Sequence, residues 1–418
     1  MMDMHTPAKQ ALAAVLLVTG VSSQAMEVTI SGGQTGRPAS PVCFKADKPF
    51  SQGDALAVSV DGAKPTPAQA DHQGRLWWWA GPVQPRQSAT CRIEKLTGAT
   101  PAEKVKVAQV KDDLVNVTID GQLFTALNFK KDEAKPYLYP LIGPTGEAVT
   151  RDYPMKDNPA EKNYKGKNRQ DHPHHQSLWT AYGDVRSKDL DKPGSNYWDQ
   201  TKPQTVGRQK VTRVTRLVSG PVFGQIEADI DWVGPSGQRE FSETRTYTFF
   251  CGNQDNRIVD VQNAFKFSDG DVMFADTKEG GILAVRVAVT MDELGDGQMT
   301  NAQGQVGEKQ CWGQAAPWCD YVGPVNGQTV GIATFDAKTN FRHPTTWHIR
   351  GYGLLAANPF GLGAFTKGKQ NGAHAFKKGA KATFDYRVVI HKGDTKTARI
   401  ADQYDLYAAG PMAIHTNK

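Results

Sequence analysis

Residues 222–233 read VFGQIEADIDWV, and the fold of the chain turns on that stretch. Ile226, Ala228, Ile230 and Trp232 alternate with Gln225, Glu227, Asp229 and Asp231. A period of two is the mark of a strand with one face in a core and one in water. The alternation returns at 257–267, where Val259, Val261, Phe265 and Phe267 share a face, and again through Phe384, Tyr386, Val388 and Ile390. With 41 glycines and 24 prolines the chain is rich in turns, which favours β architecture over a helical bundle. No heptad or fixed-period repeat interrupts the pattern. The expectation is an all-β protein whose residues 110–418 form a large antiparallel β-sandwich. A closing helix, capped by Asp394 and carrying Ile400, Tyr404 and Tyr407, should end at Gly410.

Residues 26–109 read as a small β domain preceding the sandwich. Its strand candidates are 55–60, 76–79 and 91–93, and the turns at 51–54, 61–62 and 73–74 suit short hairpins. Trp77, Trp78 and Trp79 lie together within it, and packing is the expected use of such a cluster. Residues 1–25 read as a secretory signal: Lys9, then an apolar run at 11–18, then the small residues Ser23 and Ala25 before the cut. That run is too short to span a bilayer, and no later segment is long and apolar enough. The expected location is the periplasm or the outside of the cell.

Five cysteines fit an oxidising compartment. Spacing suggests a Cys311–Cys319 bridge and a Cys43–Cys91 bridge, with Cys251 free and other pairings open. Composition is that of a globular protein, with 39% hydrophobic residues and 22% charged. The formal charge is +6, and lysines thicken at 161–169 and 367–381. These read as solvated loops, or as a draw for an anionic glycan. Export and the lack of any recognition motif argue against nucleic acid.

Chemistry gathers in three places. DHPHHQSLW at 171–179 holds three of the ten histidines. If extended, it sets His172 and His174 on one face; if it opens a helix, His172 meets His175. RHPTTWHIR at 342–350, followed by Tyr352, repeats the pairing of His-Pro with tryptophan. Asp276, Lys278 and Glu279 stand just before a glycine pair and a strand, a place for a carboxylate acid or base. Glu243 and Arg245 share a strand face and read as an ion pair on the sheet surface. No nucleophile elbow, P-loop, HExxH or EF-hand loop is present.

The segments at 136–140, 150–154, 171–184, 276–281 and 343–361, in that order, resemble the secreted bacterial proteins labelled PmoA-like, or "methane oxygenase PmoA". The resemblance covers about residues 114–390. It implies a β-sandwich of the galactose-mutarotase supersandwich kind, in which a concave sheet face handles sugars through histidine and carboxylate. Gln176 stands where the pattern leads one to expect Arg, Ser177 where it leads one to expect Gly or Ser, and Tyr182 where it leads one to expect His.

The reading that follows is a secreted carbohydrate-active enzyme working by acid–base chemistry on a sugar or glycoside, as hydrolase, lyase or epimerase. His174 or His175 would be the base or acid, His348 its partner and Glu279 the carboxylate. Arg151, Trp179, Trp347, Arg350 and Tyr352 would bind substrate. One alternative is an oxygenase with a divalent metal on His172, His174 and His348, completed by Asp276 or Glu279. Another is a glycan-binding protein built on Trp77 to Trp79.

Overall fold

A computed structural model describes residues 26–45, 50–97, 101–201, 203–410 and 412–413. The expected signal segment, 1–25, lies outside the described residues. The chain is all-β. Two eight-stranded sheets, a seven-stranded sheet and a three-stranded one account for its architecture.

The stretch at 222–233 is a strand, Phe223–Val233, paired antiparallel with Arg208–Val218 and with Arg239–Phe250. Asn256–Lys266, Lys381–Lys392, Gln328–Asp336, Trp318–Val325 and Gln298–Asn301 extend the sheet. The second large sheet runs in spatial order Trp347–Arg350, Leu354–Ala357, Gly280–Arg286, Leu178–Tyr182, Tyr137–Leu138, Gln122–Asn128, Leu114–Ile119 and Val105–Lys111. Ile226, Ile230, Trp232, Val259 and Val388 from the first sheet, and Val115, Val117, Leu178, Ile282 and Val285 from the second, form one buried core. The rings of Phe124 and Phe249 meet across it at 6.1 Å.

Glu243 and Arg245, expected on the sheet surface, instead face this core. Their side chains are fully buried and paired at 2.7 Å, and Trp232 Nε1 and Gln209 complete the hydrogen bonding. A charge pair survives burial only when its remaining polar groups are satisfied in this way.

The small unit is one curled sheet. Its strands Leu56–Val60, Arg75–Ala80 and Ser88–Lys95 realise the three candidates, and Trp78 lies in its core. Val105–Lys111 pairs with Leu114–Ile119, so the large sheet begins ahead of residue 110. After a helix at Ile400–Ala408, Met412–Ala413 returns to pair parallel with Ser40–Lys45. Asp394 does not cap that helix; it accepts from the Thr397 amide in a preceding turn.

Neither expected disulfide is formed, since all five cysteines are free thiols. Cys91 packs in the small core, whereas Cys43 points the other way between Val42 and Phe44, into a cleft toward the sandwich. Among the described residues, no helix is long and apolar enough to cross a membrane.

Candidate active site

Strand alternation decides which side chains leave the core of the second large sheet. Register sets Tyr137, Trp179, Ala284, Ala356 and His348 in one row across five neighbouring strands. Their side chains therefore point to the sheet's outer face, while Leu178, Val285, Leu355, Trp347 and Ile349 point inward. Two alanines between Trp179 and His348 leave a shallow floor. Over it lies Trp198, whose ring is 5.5 Å from Trp179 and 6.4 Å from His348. The turn that carries Trp198 is held by Asn196 Oδ1, which accepts from the amides of Trp198 and Asp199.

The histidine motif folds onto the same face as a turn, with the His175 amide donating to the His172 carbonyl at 3.0 Å. His172 takes a left-handed conformation at φ 45°, and its ring stacks on His175 at 4.8 Å. The turn thus brings His172 to His175, and also holds His174 edge-on to both. Trp179 stacks on the far side of His175, and Tyr352 on His172. Tyr352 reaches there from the tip of a tight hairpin closed by Gly353, whose φ of 96° glycine readily adopts.

Two buried arginines anchor the turn. Arg151 donates to the carbonyls of Tyr153, Arg169 and His172, and to Asp171 Oδ1 at 2.7 Å. Arg286 donates to the same Oδ1 at 2.7 Å and to His175 Nδ1 at 2.9 Å, with Tyr352 over its guanidinium. Arginine can only donate, so His175 Nδ1 accepts and the imidazole carries its hydrogen on Nε2. Burial tends to raise the Asp171 carboxyl, but contact with His172 and the charges of Arg286 and Arg151 outweigh it and hold the group well below the usual carboxylate range.

Burial, reinforced by neighbouring cations, keeps the imidazoles of His174, His175 and His348 neutral. His175 falls well below its ordinary value through burial and Arg286. His348 falls to about 3 through burial, Lys278 and Arg350. His174 is lowered by burial and by Lys135, against the pull of Asp199 3.5 Å from its Nδ1. Lys135 itself is fully buried, and that burial brings its ammonium down to about 7 although Glu133 and Asp199 oppose the shift. Lys135 Nζ and the indole N–H groups of Trp179 and Trp198 are buried without a protein partner. Buried polar groups are nearly always hydrogen-bonded, so three unpaired donors gathered here set this face apart.

The sequence candidates therefore sort by position. His172, His174, His175, His348, Trp179 and Tyr352 converge. Arg350 lies at the rim, stacked on Tyr352 and paired with Glu308 at 2.7 Å. Glu279 is also at the rim, paired with Lys278 and exposed over 42% of its side chain. Arg151 is spent on holding the turn. Trp347 faces the sandwich core, where its Nε1 donates to Ala316. Asp276 accepts from the amides of Gly363 and Gly372 and stands apart from the histidines. As metal ligands the histidines are badly placed: Trp198 stands beside His348, and no three His, Cys, Asp or Glu side chains among the described residues group as a metal site. Lys135, Trp198, Asp199 and Arg286 were missing from the sequence reading. They lie in loops or at a strand end, where no periodicity marks them.

Fold and site together define a two-sheet β-sandwich with a histidine and aromatic cluster on the outer face of one sheet. The chain belongs to the family of unknown function DUF6807, whose model matches residues 114–405. No curated protein matches the chain.

Proposed function

We propose that this outer face is the active site of an exported enzyme that moves protons on a sugar or glycoside, by elimination or epimerisation. The observation that supports it is the convergence of neutral imidazoles with Lys135, held near 7, over an alanine floor walled by Trp179 and Trp198. A general base works best when its pKa lies near the working pH. Lys135 takes the proton, and His174, which burial brings down to about 3, stays neutral beside it and hydrogen-bonds the substrate. His348, across Trp198, is neutral and donates a hydrogen bond to the oxygen that gains charge, and Arg286 keeps His175 in a single tautomer to position the turn. The indole faces suit the C–H face of a sugar ring, and Tyr352 with Arg350 orients it from the rim. Hydrolysis by two carboxylates has less support. Asp171 is bound to two arginines, and Glu279 is paired with Lys278 at the rim. The metal-oxygenase reading has less support, since no three His, Cys, Asp or Glu side chains among the described residues group as a metal site.

The test is a panel of neutral sugars, uronates and their glycosides incubated in deuterium oxide and followed by NMR. Deuterium at a ring carbon, or an unsaturated product, is expected from the wild type. Both should fall about 100-fold or more in His174→Asn and Lys135→Met. Cleavage without either signature, or undiminished in both variants, would overturn the proposal.

A further inference from the structure

A cleft of about 430 Å³ opens on the opposite side of the molecule, where the small sheet rests against the outer face of the first large sheet. Its volume lies within the range of small-molecule sites. The floor is built by register. Gln225, Thr248, Asp260 and Arg387 form one row across four adjacent strands. Glu227, Thr246, Gln262 and Asp385 form the next. These are the polar positions of the alternation that opened the sequence reading, so the strands' water face has become the floor of a covered cleft. The small unit supplies the roof with His72, Arg75 and Trp77.

Charge in the cleft is mostly cancelled from within. Asp71 pairs with Arg75 at 2.6 Å, Asp260 takes both arms of Arg387 at 2.6 and 2.7 Å, and Glu227 pairs with Arg216. Asp385 is the exception: its one side-chain hydrogen bond is from Gln262 at 2.8 Å, and it forms no ion pair among the described residues. What remains is a set of amide, hydroxyl and carboxylate groups in two parallel rows, close to neutral overall because Lys338 also lines the cleft, beside a half-buried indole. An anion meets Asp385 unfavourably, and an apolar ligand strands the polar rows. A ligand with many neutral hydroxyls satisfies both.

We infer that the cleft between the small sheet and the sandwich is a second, non-catalytic binding site for a neutral saccharide, seated on the Gln262 and Asp385 row with Trp77 as its aromatic wall. Carboxylate and amide side chains accept and donate to adjacent ring hydroxyls, and indole covers the C–H face. The site stands apart from the histidine face, and the inference holds whatever reaction occurs there.

Titration calorimetry of the full chain with glucose, galactose, mannose, xylose, cellobiose and maltose, and with glucuronate and galacturonate, tests it. At least one neutral sugar should bind saturably, more tightly than either uronate. Loss of two hydrogen-bonding side chains in Gln262→Ala/Asp385→Ala should weaken it about tenfold or more. The half-buried single variant Thr246→Ala, a smaller change, guards against misfolding and should weaken it by a smaller factor. In His348→Ala, which alters the histidine face, the cleft's share of the binding should persist. The inference fails if no neutral sugar binds, if uronates bind better, if the cleft variants bind as the wild type does, or if His348→Ala abolishes binding.

Discussion

Replacing Asp171 with asparagine removes the one carboxylate shared by two buried guanidiniums. Oδ1 lies 2.7 Å from Arg151 Nη1 and 2.7 Å from Arg286 Nη2. Breaking a buried ion pair from one side costs about 3–5 kcal/mol, because the partner's charge stays buried. Asparagine keeps an acceptor oxygen, and 38% of the Asp171 side chain is exposed, so solvent screens part of the loss. About 2–3 kcal/mol is the expected destabilisation at neutral pH. Domains of this kind have only ~5–15 kcal/mol in total, so the change is easily read. Urea unfolding followed by tryptophan fluorescence should give a lower midpoint at unchanged slope. The pH dependence has a definite sign. Asp171 titrates lower folded than unfolded, so its contribution is present above the unfolded carboxylate value of about 4 and is lost as pH falls through the lower folded value. The gap between variant and wild type should therefore close in acid. A loss below about 0.5 kcal/mol at neutral pH, or a gap that widens in acid, would refute the arginine–carboxylate reasoning.

Two further outcomes follow from buried groups. Lys135 is lowered to about 7 by burial, so between there and the unfolded lysine value the unfolded chain binds more protons and stability rises with pH. Lys135→Met should accordingly be more stable than the wild type near neutrality, with an advantage that shrinks from pH ~7 toward ~10 in matched urea series. The thiols are buried and pushed up, Cys43 to about 12 and Cys91, Cys251 and Cys311 to about 11. A thiol reagent should label the native protein slowly and five groups promptly in denaturant; three or fewer prompt groups would restore a disulfide.

Where period and core agreed, the fold was open to reading. The alternation at 222–233 depends only on neighbours two apart, and it became a strand between two antiparallel neighbours. Glu243 and Arg245 defeated the same logic because a charged pair on a strand reads as an outer face, and only the third dimension shows Trp232 and Gln209 satisfying it. Histidine density marked the turn that folds onto the outer face, but Trp347 and His348 are adjacent in sequence and opposite in space. Assigning their strand would have separated them. Lys135 and Trp198 meet the histidines only through sheet register and a long loop, and local sequence carries no trace of that meeting. Cys43 and Cys91 show the converse limit: counting thiols says nothing about where strand alternation aims them.

The parallel pairing of Met412–Ala413 with Ser40–Lys45 also has a consequence for the order of events in folding. One edge of the small sheet is completed by residues synthesised several hundred positions after the strand they join. Arg399, meanwhile, reaches back to the carbonyls of Thr35 and Gly36. A nascent chain can close the antiparallel ladders of the small unit early, yet that edge stays unpaired until the sandwich has brought the C-terminal helix alongside. An unpaired edge is where strands of other chains add. The window of aggregation risk for this protein thus lasts as long as its slowest long-range contact takes to form, and it is the sandwich that shuts it.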